Sequence, residues 1–422
     1  MEQILAVSIF AVAYFFIATE KINKTVIVLL GGSLMMMLHL IPQERAFEHI
    51  DFNVIFLLIS MMILMKILEQ TGLFEYIAIK LTKMVKGNPY SILSILFFLT
   101  AIFSAFLDNV TTVILIAPVA ILLAKELEIT PIPYLIAIIF ASNIGGTATL
   151  IGDPPNIMIG SAANLSFIDF ILNLAPVIVV ILIVFSVIFY LIFRGKLVVT
   201  NTNRARIMEF NELKMIKNRK LLKKSVFVFS GVVTAFVFHS LIHLEVATIA
   251  LGGSALLILI GKIDVEHVFK EVEWTSIFFF IGLFIMVGTL VETGVIKIVS
   301  SKMMELTGGD IKLTSEIVIW FSGIFSAIVD NIPFVATMIP LVQDMGANLG
   351  QEAVRPIWWA LSLGACLGGN GTLIGASANI IIANFASKAG HKITFLSFLK
   401  YSIPLMLLSI LISYMYILVV YF

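Results

Sequence analysis

Cysteine and charge are scarce in this sequence. Only 13% of its 422 residues are charged and 60% are hydrophobic, with a mean hydropathy of +1.08. Soluble domains carry about 25% charged residues, so the composition predicts a multi-pass membrane protein. The single cysteine, Cys366, excludes an intrachain disulfide and a thiolate cluster for metal or redox chemistry. The net charge of +1 gives no indication of a nucleic-acid partner.

Signals for cleavage, nucleotide binding and catalysis are missing as well. The chain enters an apolar run directly after Gln3, without the basic region and cleavage site of a signal peptide, so we expect the first helix to be retained. The glycine-rich stretch 368–372 lacks the lysine of a phosphate-binding loop. No nucleophile–base pair is evident. We therefore expect no ATP site, no cofactor, no structural metal and no enzymatic activity.

Two interrupted apolar segments stand out among the features that are present. The stretch 143–156 lies between apolar runs, yet it contains three glycines, two prolines, two asparagines and an aspartate. Pro154 and Pro155 would break the hydrogen bonds of a continuous helix. Unwound backbone at membrane depth is tolerated where it is buried in protein or lines a polar cavity. The segment is therefore a candidate ion or solute site, and the stretch 364–379 repeats its pattern.

The remaining apolar runs predict an all-helical protein with about ten membrane-crossing helices, each of about 20 residues. Two further runs are too long for one helix and are interrupted by Asp108 and Asp330. We interpret these runs as re-entrant hairpins. The predicted hairpins span 89–127 and 312–347, and the predicted broken helices span 131–163 and 356–386.

The two halves of the chain repeat each other. Adding 222 takes Asp108 to Asp330, and beyond a one-residue insertion adding 223 takes Asn156 to Asn379. Five crossings per half would place the second half upside down relative to the first, as in inverted-repeat transporters. The predicted divisions are a first repeat over 1–193, a linker over 194–224 and a second repeat over 225–422.

Basic residues predict the orientation in the membrane. The linker contains ten lysines or arginines from Arg194 to Lys224, and Lys21 and Lys24 fall on the same side. Cytoplasmic loops carry an excess of such residues, so we expect a cytoplasmic linker and both termini outside the cell membrane. The linker could also dock an ATPase subunit, although the topology signal is the preferred interpretation.

Asp108 and Asp330 are candidate coupling residues. An ionised side chain at membrane depth costs about 3 kcal/mol, so it normally faces a cavity or a partner. A carboxyl group in such surroundings could take up and release a proton. Alternatively, each aspartate caps the second arm of its hairpin, and both roles can hold together.

Asp153 is a third candidate, and it has no counterpart because the equivalent position is Ala376. An unpaired acid beside Pro154 could bind a proton or a cation. The alternative is a cap on the half-helix that starts at this proline.

Neutral oxygens surround these acids, as a hard cation such as sodium requires. In the second hairpin, Pro333 and Phe334 replace Thr111 and Thr112 of the first, so the two tips cannot be chemically equal. Polar residues in the breaks would line the same site or, alternatively, form hydrogen bonds between helices.

The motifs 103–112 and 143–156 resemble those of the ion transporter superfamily. The closest resemblance is to its permease branch, which holds the arsenite-pump membrane subunit, the NhaD-type sodium/proton antiporters and the melanosomal P protein. The resemblance implies a homodimer with a scaffold domain and an elevator transport domain, and a site between the hairpin tips and the breaks. The implied ion- or substrate-binding residues are Asn109, Thr111, Thr112, Asn143, Gly145, Gly146, Thr147, Thr149, Asn156, Asn331, Gly368, Gly369, Asn370, Thr372 and Asn379, beside the coupling residues Asp108, Asp153 and Asp330.

One departure from the superfamily narrows the expected substrate. The dicarboxylate and citrate branch carries Ser-Asn-Thr at the tips, whereas this chain has Asp108-Asn-Val and Asp330-Asn-Ile. Carboxylates repel di- and trivalent anions, and neither site stretch contains an arginine or lysine to offset them. We expect a proton- or sodium-coupled transporter that moves arsenite or antimonite, or exchanges sodium for protons. A sodium-coupled dicarboxylate or citrate transporter is the alternative, and an ion channel is the alternative from another class.

Overall fold

The computed structural model describes residues 1–19 and 21–422, and within these ranges it contains helices and no strands. The predicted all-helical fold class is confirmed. The helices of the first half are α1 (Glu2–Thr19), α2 (Lys24–Met37), α3 (Gln43–Glu48), α4 (Phe52–Glu69), α5 (Leu73–Met84), α6 (Pro89–Ser104), α7 (Asn109–Glu126), α8 (Ile132–Thr147), α9 (Pro154–Ala163), α10 (Phe167–Asn173) and α11 (Ala175–Phe193).

The second half repeats this order of helices, except that α10 has no counterpart, after a linker that holds one short α-helix and one 3-10 turn. The linker elements are α12 (Asn201–Met208) and the turn Glu212–Met215. The helices that follow are α13 (Arg219–Ile242), α14 (Val246–Gly261), α15 (Val265–Lys270), α16 (Trp274–Glu292), α17 (Val295–Thr307), α18 (Ile311–Ser326), α19 (Asn331–Leu349), α20 (Arg355–Gly368), α21 (Ser377–Lys388) and α22 (Phe395–Tyr421).

Seven helices in the described ranges are long and apolar enough to cross a membrane, namely α1, α4, α7, α11, α13, α16 and α22. The number becomes eight if α9 and α10, which meet at an angle of 114°, count as one bent span. The other predicted crossings fall on α2 and α14, which have 14 and 16 residues, and on broken helices whose halves are shorter than a span. α7 is an arm of the first predicted hairpin.

Equivalent helices of the two halves run in opposite directions. His49, just before α4, lies beside Glu292 at the end of α16, with 3.2 Å between Nε2 and Oε1. Lys66, near the end of α4, lies 3.6 Å from Glu271, just before α16. The start of each helix therefore meets the end of its counterpart, which is the arrangement that inverted repeats require.

Polar caps end the apolar runs inside the molecule. Asp108 is the N-cap of α7, where its carboxylate accepts a hydrogen bond from the Thr111 N–H at 2.8 Å. Asp330 is the N-cap of α19 and accepts from the Ile332 N–H at 3.2 Å. The free N–H groups of a helix start need such acceptors because water is absent at membrane depth. Each long apolar run is thereby divided into two arms.

The broken helices unwind over residues 148–153 and 369–376. Pro154 is the first residue of α9, a position at which the missing N–H of proline costs no helical hydrogen bond. Contacts cross between the halves at these breaks, since α9 packs on α19 and α21 packs on α7. The half-helices of each repeat therefore lie against the hairpin of the other.

The linker fastens to α5 of the first half. The Lys217 N–H donates to the Thr71 carbonyl at 3.0 Å. Lys83 forms an ion pair with Glu212 at 2.6 Å. The hydrogen bond from Lys83 holds the pKa of Glu212 below its ordinary value.

The linker also contacts the base of the first hairpin. Arg206 pairs with Glu128 at 2.7 Å, and the Asn203 side chain donates to the Leu127 carbonyl at 3.2 Å. We call residues 200–217, with these contacts, the linker clasp.

Candidate functional site

Hydroxyl groups tie each hairpin to the broken helix of its own half. The ties occupy equivalent positions in the two halves, so the repeat extends to individual hydrogen bonds. They run from Ser104 to the Ser142 carbonyl, from Thr149 to the Ala105 carbonyl, from Ser326 to the Ala365 carbonyl and from Thr372 to the Ala327 carbonyl. The predicted site residues Thr149 and Thr372 thus hold the breaks against the hairpin tips.

Two equivalent asparagines close the unwound backbone of the breaks. Asn156 and Asn379 are fully buried, and each donates from Nδ2 to two backbone carbonyls that the broken helix leaves without helical partners. The acceptors are Thr147 at 3.1 Å and Thr149 at 2.9 Å for Asn156, and Gly369 and Thr372 at 2.8 Å for Asn379. These side chains replace backbone hydrogen bonds that α8–α9 and α20–α21 lose.

The predicted site glycines allow close approach of backbones. A Cβ atom at Gly145 would collide with the backbone of Ala101 in α6, and one at Gly368 would collide with Gly323 in α18. In the same way, Gly146 and Gly369 lie against Gly152 and Gly375. We conclude that these four positions contribute packing of the broken helix on the hairpin, since no room remains beside them for a ligand.

A chain of buried amides crosses the centre of the molecule. Asn109 at the first tip donates to Asn143 Oδ1 at 3.2 Å, and Asn143 donates to Asn370 and Asn379 of the second half at 3.0 and 3.1 Å. Thr147 donates to the Asn143 carbonyl at 2.7 Å. Asn143 therefore links both breaks to the first hairpin tip, and its equivalent in the second half is Cys366.

Asp153 lies at the centre of the same region and is only 1% exposed. Its carboxylate makes no capping hydrogen bond to α9. Instead it accepts from Asn331 Nδ2 of the second tip, at 3.2 and 3.4 Å to its two oxygens. The first half therefore supplies both central partners, Asn143 for Asn109 and Asp153 for Asn331.

At the first tip, the Asp108 carboxylate is engaged by its own helix. Thr111 donates to it from both its backbone N–H at 2.8 Å and its hydroxyl at 2.5 Å. The hydroxyl of Thr112 is buried and has no hydrogen-bond partner among the described residues. Neither threonine lines the cavity described below.

At the second tip, the Asp330 carboxylate forms an ion pair with Lys24. Lys24 is the first residue of α2, and its ammonium group also lies 3.4 Å from Ser377 Oγ and 5.1 Å from the centre of the Phe279 ring. Ser377 opens α21, the second half-helix of the other break. Lys24 therefore connects the start of α2 with both the second tip and the second break.

These groups meet in a cavity of about 280 Å³. Carboxyl groups dominate its polar lining, and Lys24 is the one cationic side chain among the described residues that line it. Methionine and other apolar side chains of α4 and α16 close the far wall. The polar lining residues are Lys24, Asp108, Asn109, Asp153, Glu273, Ser276, Asp330, Asn331 and Ser377.

The structure brings five of the predicted residues to the cavity and places the others behind its wall. Asp108, Asn109, Asp153, Asp330 and Asn331 line it. The remaining predicted residues are the threonines, glycines and asparagines whose ties, packing and amide chain hold the tips and breaks in place. They affect the cavity indirectly, by holding its lining residues in position.

The interpretation that no lysine offsets the acids of the site needs correction. Lys24 lies outside both site stretches, 306 positions from Asp330, yet it lines the cavity and pairs with that acid. In the sequence, Lys24 stands before an apolar run, where a lysine indicates membrane topology. Glu273, Ser276 and Ser377 were also missed. A signal was available for Ser377, because it follows Ala376, the counterpart of Asp153.

A second cavity of about 500 Å³ lies toward the opposite ends of α4 and α16. Its lining includes Asp51 at the start of α4 and Val291 near the end of α16, whereas the first cavity is lined by Met65 and Glu273 from the other ends. Met158 of α9 and Ala336 of α19 also line it. The site thus opens toward the linker side, and a separate cavity approaches from the other side.

Comparisons with known proteins place these features among membrane transporters. A family model described as "Citrate transporter" matches residues 14–364. The "46 kDa membrane protein" of Mycobacterium leprae is 42% identical over 98% of both chains, and an "uncharacterized transporter" of Mycobacterium tuberculosis is 42% identical over 100% of this chain and 99% of its own. The mouse P protein is 31% identical over 98% of this chain and 60% of its own. The YdaH transporter of Alcanivorax borkumensis shares the fold, with a TM-score of 0.63, 13% identity and coverage of 99% of this chain and 98% of its own.

Proposed function

Since the chain belongs to the citrate transporter family, we propose that this membrane transporter is a secondary active carrier that exchanges a small cation, sodium first, for protons. Its membership of the ion transporter superfamily and its likeness to the P protein confirm the resemblance drawn from the sequence motifs. The nature of the cargo and of the coupling ion is our proposal.

The observation that carries the proposal is the balance of charge in the linker-side cavity. Among the described residues, Asp108, Asp153, Glu273 and Asp330 contribute four carboxyl groups to its lining, against the single ammonium group of Lys24. Such a cavity attracts cations and protons and repels multivalent anions. The neighbouring amide and hydroxyl oxygens are ligands that hard cations accept.

The two cavities support alternating access by an elevator movement. Each hairpin is tied to the broken helix of its own half and packs on a half-helix of the other, so α6–α9 and α18–α21 can move together. We propose that this group carries the site past α2, α4, α14 and α16, from the linker-side cavity toward the second cavity. Such movement around a fixed site is typical of transporters with broken helices.

The setting of the carrier is part of the proposal. We propose that the protein works as a homodimer in the cell membrane, with the linker in the cytoplasm and both termini outside. The coupling ion is the proton or sodium, and no ATPase subunit is needed, because an ion gradient supplies the driving force. The linker clasp already uses Lys83, Arg206 and Lys217 in contacts within the chain.

Two other cargoes have two observations each in their favour. A sodium-coupled citrate or dicarboxylate transporter is supported by the description of the matching family model and by the presence of Lys24 in the cavity. Arsenite or antimonite is supported by the motif resemblance to the branch that holds the arsenite-pump membrane subunit and by the hydroxyl groups of Ser276 and Ser377, which can bond to a neutral hydroxide. The chain's one thiol, Cys366, is buried beside Asp153 and does not itself line the cavity.

The test uses purified protein in liposomes that contain a pH-sensitive dye and carry an outward sodium gradient. We expect sodium-dependent acidification of the lumen, because each sodium ion that leaves admits protons. Asp153→Asn and Asp330→Asn should abolish the signal, while Glu316→Gln in α18, which does not line the cavity, should keep it.

Three outcomes separate the cargoes. Acidification that survives the Asp153→Asn and Asp330→Asn substitutions would contradict the assigned site. A flat trace with wild-type protein, together with sodium-driven uptake of labelled citrate, would favour the citrate alternative. A flat trace together with arsenite uptake into everted vesicles would favour the arsenite alternative.

A further inference from the structure

The ion pair between Lys24 and Asp330 joins two groups of helices that the proposed movement separates. Lys24 starts α2, which packs on α16, and its ammonium group lies over the Phe279 ring of that helix. Asp330 caps α19, and Ser377, the other neighbour of the ammonium group, starts α21. The pair thus connects the packed helices α2 and α16 to the second hairpin tip and the second break.

We infer that Lys24 is a tether that holds the empty carrier in the linker-side-open state until a proton or a cargo cation neutralises Asp330. The inference rests on the proposed cation/proton exchange. An ionised Asp330 binds the ammonium group and cannot leave α2 and α16 without separating opposite charges in a medium of low dielectric. A bound cation or proton removes that attraction, and the carrier is then released.

The tether explains how exchange is kept coupled. An exchanger fails if its empty form changes sides, because cargo then crosses without its counter-ion. Lys24 disfavours that step, since the empty, ionised form is the form that it binds. The same ammonium group competes with a cargo cation for Asp330, so it also weakens cation binding from the linker side.

The second half of the chain has no lysine equivalent to Lys24, so the tether acts on the linker side only. Adding 222 to Lys24 gives Val246, the first residue of α14. In the state that faces the second cavity, Val246 would stand near the first tip, where Asp108 is engaged by Thr111. The empty carrier is thus retained on the linker side alone.

Lys24→Ala tests the tether, and Lys21→Ala is the matched control, because Lys21 is an exposed lysine three residues away that does not line the cavity. Efflux of labelled sodium is measured into sodium-free medium of high pH, where counter-protons are scarce, with the voltage clamped by potassium and valinomycin. The wild type and Lys21→Ala should release sodium slowly. Lys24→Ala should release it about tenfold faster, because without the ion pair a larger fraction of the empty carrier can pass to the state that faces the second cavity.

The concentration dependence gives a second readout that a structural role would not change. Lys24→Ala should lower the sodium KM about tenfold on the linker side, because the competing ammonium group is gone. Lys24→Arg should restore coupling by keeping a cation at this place. Unchanged efflux and unchanged KM in Lys24→Ala, with exchange otherwise intact, would overturn the tether.

A labelling experiment tests the tether without any assumption about cargo. Ala336, which lines the second cavity, is replaced by cysteine, and a membrane-impermeant maleimide is applied from that side; the native Cys366 is buried. Combining Ala336→Cys with Lys24→Ala should raise the labelling rate about tenfold as the population moves toward the other state. If wild-type exchange fails, this rate decides alone: an increase supports the tether, and an unchanged rate refutes it.

Discussion

At the first hairpin tip the Asp108 carboxylate accepts two hydrogen bonds from Thr111 of its own helix, whereas at the second tip the Asp330 carboxylate pairs with Lys24 of α2. The backbones of the tips are alike, because both aspartates are N-caps and equivalent hydroxyl groups tie both tips to the breaks. The difference lies in Thr111, whose counterpart is Pro333. A proline has no hydroxyl and no N–H, so Asp330 is left with capacity to bind a group from elsewhere.

The comparison shows how one duplicated motif acquires two roles. At the first tip the Asp108 carboxylate is satisfied by its own helix. The second tip keeps a carboxylate whose partner lies on another group of helices and is therefore sensitive to movement. Both tip asparagines turn toward the first half, Asn109 to Asn143 and Asn331 to Asp153.

The largest expected difference between the tips concerns transport. Asp330→Asn should lower the rate of sodium-driven proton exchange about a hundredfold, and Asp108→Asn should lower it about tenfold at most. Asp330 is the group that the cation or proton must neutralise, whereas asparagine caps a helix as well as aspartate does. The measurement is the initial rate of acidification in liposomes. Equal losses in the two variants would contradict the division of roles.

The tip asparagines should differ by a smaller factor. Asn331→Ala removes the donor from the buried Asp153 carboxylate and should raise the sodium KM about tenfold, since hydrogen bonds to charged groups are the stronger kind. Asn109→Ala breaks a bond between two neutral amides and should change KM only about twofold. Concentration series of labelled sodium uptake measure both values. A larger effect on the sodium KM from Asn109→Ala would contradict the inference that Asp153, the partner of Asn331, lies at the centre of the cation site.

The thermal stability of the folded protein should depend on the helix cap that Asp108 provides at the first tip. Asp108→Ala should cost about 1 kcal/mol, because it leaves the N–H of Thr111 without its capping acceptor, while Asp108→Asn should cost only a few tenths. Thermal unfolding followed by tryptophan fluorescence in detergent gives the midpoint of each variant. Identical midpoints for the two substitutions would show that the cap is unimportant here.

The smallest expected effect concerns the base of the first hairpin and its linker clasp, which the second hairpin lacks in the described structure. The hydrogen bond from Lys83 holds the pKa of Glu212 below its ordinary value of about 4.3. A lowered pKa contributes stability above the unfolded value, and that contribution is lost as the pH falls through the folded value. Hydrogen exchange at residues 210–217, measured relative to the intrinsic amide rate at each pH, should therefore accelerate as the pH falls through the lowered pKa of Glu212.

The control for the clasp is Glu212→Gln, which removes the titrating group and keeps its size. This variant should show faster exchange at neutral pH and no further acceleration of this kind on acidification. Acceleration that persists in Glu212→Gln would assign the acid effect to another group.

The sequence predicted the elements that depend on local chemistry or on the repeat. Asp108 and Asp330 end their apolar runs as caps, and α6–α7 and α18–α19 lie close to the predicted hairpins 89–127 and 312–347. The unwound backbone before Pro154 followed from the properties of proline. The 222-residue shift identified Asn156 and Asn379 as equivalent, and the structure shows both in the same role.

What the sequence could not predict depends on contacts between distant segments. Lys24 and Glu273 each stand at the start of an apolar helix, where a charged residue is ordinary, and only the packing of α2 on α16 brings them to the hairpin tips. The family resemblance assigns Gly145 and Gly368 to a binding site, whereas the sequence does not reveal the neighbouring backbones that fill the space beside them.

Because α2 and α14 are short, the conformational energy of the protein depends on the thickness of the surrounding bilayer. Helices of 14 and 16 residues extend about 21 and 24 Å, against a hydrocarbon thickness of about 30 Å. Val26, Leu30 and Leu34 expose their side chains along α2, so the bilayer must thin beside them or the polar ends of the helix must enter the hydrocarbon. A helix that carries Lys24 at one end will therefore shift its depth with acyl-chain length. Membranes of different thickness should then hold the same protein at different points of its transport cycle.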